Sequence, residues 1–152
     1  MIIYLDFDGV LNNTRYRERI KWHRKPLSTI DADIGNLGLD PYNIKNMYDL
    51  FEDIDPEIVV ISAWRKWADE KRLREIFKKD FPGLSKRIIG KTERLGIPRG
   101  EEVKKYGKPG VIIDDKGHWY SKNQLSCAVI TSPKIGFSEK DRMKAVEVSR
   151  NI

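Results

Sequence analysis

Two carboxylates separated by a single residue, Asp6 and Asp8, end an apolar run in "MIIYLDFDGVLN". A buried carboxylate without a partner is costly, so a cation or a positive side chain is expected to meet this pair. The plainer alternative is a strand that surfaces into a turn at "DGVLN", where Gly9 relaxes the backbone. The pattern recurs, however. "GVIIDD" is a second apolar run that delivers Asp114 and Asp115, and "EIVVIS" ends on the hydroxyl of Ser62. Carboxylates converging on one point repel each other, and a hard divalent cation is the natural neutraliser. Mg²⁺ accepts one or two protein carboxylates, keeps waters and takes further ligands from a phosphate. A soft-metal site has no support, since His23 and His118 stand alone and Cys127 is the only cysteine.

The elements that would carry these residues can be read from periodicity. "MIIYLD", "EIVVIS", "SKRIIG", "GVIIDD" and "LSCAVIT" are short, continuous apolar runs, as expected of strands covered on both faces. Between them lie helical patterns. Asp40 offers an N-cap, Pro41 suits the first helical position, and Ile44, Met47, Leu50, Phe51 and Ile54 form one apolar stripe. "KWADEKRLREIFKKDF" reads as an amphipathic helix packed through Trp67, Leu73, Ile76 and Phe77, ended by Pro82 and Gly83. "TERLGIPRG" reads as irregular, "EEVKKYG" as a short helix stopped by Gly107 and Pro109, and "SEKDRMKAVEVSR" as a closing helix capped by Ser138. From Asn12 to Leu39 no period holds, which predicts a loop or small excursion with at most a short helix. Strands alternating with helices predict an α/β three-layer sandwich around a mostly parallel five-stranded Rossmann-like sheet. In such a sheet, ligands sit beyond the carboxyl ends of the strands, where the acidic residues fall.

Bulk composition narrows the setting. A chain of 152 residues fits one domain, 1–152, able to bury roughly 68–70% of its extended surface. No apolar run reaches about 18 residues, which excludes a membrane-spanning helix. The start lacks a basic segment followed by an apolar stretch and a small-residue cleavage site, which argues against a signal peptide. One cysteine permits no intramolecular disulfide and suits a reducing, cytoplasmic setting; in "LSCAVIT" it reads as an apolar filler. Charge is uneven: Arg15, Arg17, Arg19, Lys21, Arg24 and Lys25 against Glu18 give the run 15–25 a net +5 of the chain's +6. That is a local device for an anionic partner, or a solvated basic loop. Tyr16 and Trp22 within it are able to stack on bases.

These motifs together resemble the haloacid dehalogenase-like phosphohydrolase superfamily. They are most similar to its small, nearly capless members, including phosphatase-like domains associated with nucleic-acid end repair in bacteria and phages. "YLDFDGVLN" is similar to the first motif, with Asp6 in the nucleophile position and Asp8 in the acid/base position. "VVISAWR" resembles the second, placing Ser62 on the transferring phosphoryl group. "VIIDD" resembles the fourth, placing Asp114 and Asp115 at the metal, and "KIGFSEKD" resembles a segment of the end-repair group. The third motif supplies a cation; Arg99 in "IPRGEEV" is the first candidate and Lys91 in "IGKT" the second, with Lys104 and Lys105 read as a solvated face. The resemblance implies a minimal cap, a basic insertion at about 12–39, and Mg²⁺ held by Asp6, the Asp8 backbone carbonyl, Asp114 and Asp115.

The activity so implied is a Mg²⁺-dependent phosphomonoesterase working through an aspartyl-phosphate. The substrate expected is a nucleotide or nucleic-acid terminal phosphate, met by Arg15, Arg17, Arg19, Lys21 and Trp22; Trp64 and Arg65 follow Ser62 at the rim, with Trp64 read either as core or as a substrate platform. Two other readings stay open: a small-metabolite phosphatase acting on a sugar phosphate, and a non-catalytic nucleic-acid-binding protein on the same scaffold.

Overall fold

The computed structural model describes residues 1–22 and 37–152. In chain order the elements are β1 (Ile2–Leu5), α1 (Thr14–Arg19), α2 (Pro41–Ile54), β2 (Glu57–Val60), α3 (Glu70–Lys78) and α4 (Pro82–Ser85). There follow β3 (Ile88–Lys91), α5 (Arg99–Tyr106), β4 (Gly110–Asp114), α6 (Lys122–Leu125), β5 (Ala128–Ile130) and α7 (Glu139–Ser149), with 3₁₀ turns at Ala63–Lys66 and Gly117–Trp119. The five strands form one wholly parallel sheet in the order β3-β2-β1-β4-β5. This is the three-layer α/β architecture the alternation of elements predicts.

Both faces of the sheet are covered, which is why its strands read as unbroken apolar runs. Ile3, Leu5, Ile58, Val60, Val111 and Ile113 face one side, where they pack with Met47, Leu50, Phe51, Leu73, Phe77 and Ala145 from α2, α3 and α7. Ile2, Tyr4, Val59, Ile61 and Ile112 face the other, against Val103 of α5 and Tyr120. Register then decides where the chemistry lies. Leu5 pairs with Val60 on one side and Ile113 on the other, so Asp6 and Asp114 emerge together from adjacent central strands. The Asp6 N–H donates to the Ile113 carbonyl at 2.9 Å, which fixes that alignment.

Three helix boundaries differ from the sequence pattern. The helix read from Lys66 begins only at Glu70, because Asp69 caps it by accepting the Arg72 N–H at 2.8 Å. Lys66 belongs to the preceding 3₁₀ turn, and Trp67 is 64% exposed rather than packed. Pro82 opens α4 instead of ending α3, using the first-turn position where its missing N–H costs nothing. Arg99 and Gly100 likewise start α5 rather than closing an irregular loop. Cys127 is half-buried, at the edge of β5, and not an enclosed filler. The caps at Asp40 and Ser138 are present as expected.

Among the described residues the excursion after β1 contributes only the short helix α1; Arg24, Lys25 and His23 lie outside them. A six-residue helix has little stability of its own, and α1 is tied down from outside. Its cap Asn13 accepts the Tyr16 N–H at 2.8 Å and donates to Asp40 and to the buried Asn43, each at 2.7 Å. Asn43 in turn donates to the carbonyls of Ile135 and Phe137, at 2.9 and 3.1 Å. Replacing Asn43 by Ala takes a donor from the Ile135 and Phe137 carbonyls, the latter keeping only Asn46, and removes a partner of the α1 cap. We expect a loss of about 1–3 kcal/mol in urea unfolding. Arg17 and its neighbours should become more accessible to trypsin in the same variant.

Candidate active site

Asp6 is nearly enclosed and Asp114 fully so. The Asp6 carboxylate accepts the Phe7 N–H through Oδ1, leaving Oδ2 to Arg99 at 2.8 Å. The same Arg99 nitrogen reaches Asp114 Oδ2 at 2.6 Å, and its guanidinium carbon lies 4.4 Å from the centre of the Trp119 ring. Tyr120 donates its hydroxyl to the same Asp114 oxygen, and the Lys116 N–H donates to Oδ1 at 2.8 Å. Asp115 stands beside them, its side chain buried and paired with Lys116 at 3.0 Å. One carboxylate oxygen each from Asp6, Asp114 and Asp115 lie within 4.8 Å of one another.

Charge in this cluster is unbalanced. Burial pushes the Asp6 carboxyl up to about 7; Arg99 opposes that shift and Asp114 adds to it. Burial also raises Asp115, with Lys116 opposing. Burial works against the Arg99 charge, yet the two carboxylates outweigh it and leave the guanidinium above its ordinary value. Tyr120 is raised by burial and by the Asp114 charge, so it remains a protonated donor. Three hard oxygen donors with more negative charge than the adjacent cations cancel fit a divalent ion of the Mg²⁺ type. The donor set contains no sulfur or imidazole.

Asp8 is turned differently. Its side chain is 44% exposed and lines a cavity of about 320 Å³ together with Asp6, Asn12, Arg17, Arg99 and Asp115. Trp64 Nε1–H donates to Asp8 Oδ2 at 3.0 Å, and Asn12 donates to Oδ1 at 2.8 Å. The turn that permits this is set by Gly9, at φ +76°, where an added Cβ would lie 2.6 Å from Asp115. Its N–H donates to Asn12 and its carbonyl accepts from Thr131, at 3.0 and 2.7 Å.

The other residues singled out in the sequence divide clearly. Of the described part of the basic run, Arg17 turns inward: Nη2 stands 3.5 Å from Asp8 Oδ1 and donates to the Leu37 carbonyl at 3.1 Å. Its guanidinium lies 3.9 Å from the centre of the Trp22 ring. Arg15, Arg19 and Lys21 are exposed. Ser62 is fully buried at the end of β2, where its Oγ accepts the Trp64 N–H at 3.4 Å. Trp64 is in the core, not at an open rim, between Phe7 and Phe77. Arg65 is buried too, paired with Glu102 and donating to the Ile61 and Ser62 carbonyls. Lys91 points to the carbonyls of Arg65 and Ala68, both at 3.3 Å, so Arg99 rather than Lys91 meets the carboxylates. Tyr120 and Asn12 were not anticipated. Asn12 at i+4 from Asp8 in a tight turn was the one readable signal; nothing in "KGHWY" marks Tyr120.

Fold and carboxylate cluster together define a haloacid dehalogenase-like phosphohydrolase domain. The family described as the HAD domain in Swiss Army Knife RNA repair proteins matches residues 2–142, and the chain belongs to it. No curated protein and no solved structure gives a significant match. No helix among the described residues is long and apolar enough to cross a membrane.

Arg99→Met would leave two buried carboxylates facing each other. We expect a loss of ~3–5 kcal/mol in urea unfolding at pH 8 without divalent ions, the scale for breaking a buried pair. Millimolar Mg²⁺ should recover part of it in this variant, while Asp114→Asn should abolish any Mg²⁺-induced rise in the melting temperature.

Proposed function

We propose that this domain is a Mg²⁺-dependent phosphomonoesterase acting on a nucleotide or nucleic-acid terminal phosphate. The observation that carries this is the convergence of Asp6, Asp114 and Asp115 at adjacent strand ends, with Asp8 beside them on the open side. Asp6 attacks phosphorus in line and forms an aspartyl-phosphate, dividing one hard displacement into two. A carboxylate approaching a phosphate dianion meets repulsion, which the Arg99 guanidinium offsets at the nucleophile's own oxygen. Bound Mg²⁺, held by Asp6, Asp114, Asp115 and the Asp8 carbonyl, would supply further charge neutralisation. Asp8 gives its proton to the leaving oxygen, then takes one from the water that hydrolyses the intermediate. Ser62 is kept in the role of a phosphoryl contact on the strength of its place after β2.

The nucleic-acid preference rests on the family and on the position of Arg17. A basic run whose inward arginine reaches the rim of Asp8 puts positive charge where the leaving group departs, and Arg15, Arg19 and Lys21 extend it across the surface. The whole chain, 1–152, is read as one such domain.

Free nucleotides and 3′- or 5′-phosphorylated oligonucleotides, assayed with and without Mg²⁺, test the reading. Asp6→Asn should abolish turnover, and Asp8→Asn should lose ~10²–10⁴-fold. Undiminished hydrolysis by folded Asp6→Asn protein would remove the mechanism. Replacing Arg15, Arg19 and Lys21 by Ser should raise KM for an oligonucleotide while sparing kcat for p-nitrophenyl phosphate, since all three are exposed and stand outside the cavity. The slope of log affinity against log salt should fall by roughly 0.7–0.9 per lost phosphate contact. Equal effects on both substrates at low salt would instead favour a small metabolite.

A further inference from the structure

Two buried arginines stand near the strand ends, and only Arg99 meets the acidic cluster. Arg65 is as enclosed as Arg99, each 8% exposed, but its donors are turned to the protein's own groups. Nη1 donates to the carbonyls of Ile61 and Ser62, the latter at 3.0 Å, and Nη2 pairs with Glu102. Glu102 is 3% exposed, and its second oxygen accepts the Leu95 N–H at 2.8 Å. It lies three residues beyond Arg99 on α5, so the two side chains are neighbours on that helix. Pro98, just before α5, offers no side-chain cap. The opening turn is fastened instead by Glu102, to Leu95 and through Arg65 to the end of β2, while Gln124 donates to the Gly100 carbonyl at 2.7 Å. The turn that carries Arg65 is itself tied to β3 by Lys91, which donates to the Arg65 and Ala68 carbonyls, each at 3.3 Å.

An unbroken series of buried contacts thus runs from the Ser62 carbonyl through Arg65 and Glu102 to the first turn of α5. We infer that the Arg65–Glu102 pair is a positioning element that fixes the spacing between Ser62 and Arg99, which reach one phosphoryl group from different elements. The inference rests on the phosphoryl-binding roles given above. Both members of the pair act through Ser62 and Arg99 rather than on the substrate. Each also needs the other, since a lone charge in this interior is costly.

The test separates phosphate binding, metal binding and stability. Glu102→Gln keeps the shape and the acceptor for Leu95 but removes the charge. Arg65→Lys keeps the charge and loses the planar fork that reaches Glu102 and two carbonyls together. Each should lower kcat/KM for p-nitrophenyl phosphate on the order of 10²-fold, the scale of a misplacement of about 1 Å. Calorimetry with inorganic phosphate and Mg²⁺ should show affinity at least ~10-fold weaker, because positioning is lost before any chemistry. The Mg²⁺-induced rise in melting temperature should not shrink, since Asp6, Asp114 and Asp115 stand at the ends of β1 and β4. Arg65→Met combined with Glu102→Met removes both charges at once, an exchange that commonly leaves stability intact. That double variant should melt at or above Glu102→Gln and still show both phosphate defects. Recovery of activity together with stability would make the pair merely structural and overturn the inference. Unchanged turnover in both single variants, a Mg²⁺ response that falls in step with phosphate affinity, or failure of all three to fold would do the same. If the unmodified protein binds phosphate yet hydrolyses no ester, the phosphatase reading fails while the loss of binding still supports the pair's role. If it binds none, both fall.

Discussion

One guanidinium between two buried carboxylates is the interaction on which the site depends. Asp6 and Asp114 are forced together by the parallel pairing of β1 with β4, and neither has water to screen it. In a low-dielectric interior two such charges cannot both persist without compensation. Arg99 supplies it from a third direction: the loop after β3 carries the chain over the strand ends, and α5 begins with Arg99 as its first residue. A single terminal nitrogen of that guanidinium meets both carboxylates. Trp119 covers one face of the guanidinium and Tyr120 donates to the far carboxylate.

Beside that centre Asp8 stands half exposed. Asp6 and Asp8 are two residues apart, yet one is held by an ion pair in the interior and the other by Trp64, Asn12 and the longer contact with Arg17. The basic helix α1 belongs to this outer layer. It has no buried residue of its own and is anchored through Asn13 and through the carbonyls of Pro133 and Lys134.

Much of this was visible before any coordinates. Apolar runs ending in acids gave the parallel sheet and the position of its functional edge, since β-strands covered on both faces leave polar residues only at their ends. Arg99 could be preferred over Lys91 only by likeness, because which cation reaches Asp6 depends on the path of a loop, and loops carry no periodicity. Trp64 and Arg65 looked like rim residues because they follow a strand end; a 3₁₀ turn folds both inward instead. Tyr120 was invisible since its single hydrogen bond is made across a turn that no pattern announces. Trp67 erred in the opposite direction: an apolar residue in register with a helix that had not yet begun.

The sheet order carries a consequence for how the protein is made. β1 is synthesised first and lies at the centre, but β4, which completes its other edge, comes more than a hundred residues later. The catalytic turn waits longer still. The Gly9 carbonyl is met by Thr131, and the Val10 carbonyl by the N–H of Phe137. Such long-range closures are slow relative to local ones. Within the domain, therefore, Asp6 precedes by 93 residues or more the Arg99, Asp114 and Tyr120 that surround it. A chain that stops short of β4 lacks the two acids that stand beside Asp6, so the cluster is completed only once β4 has paired with β1.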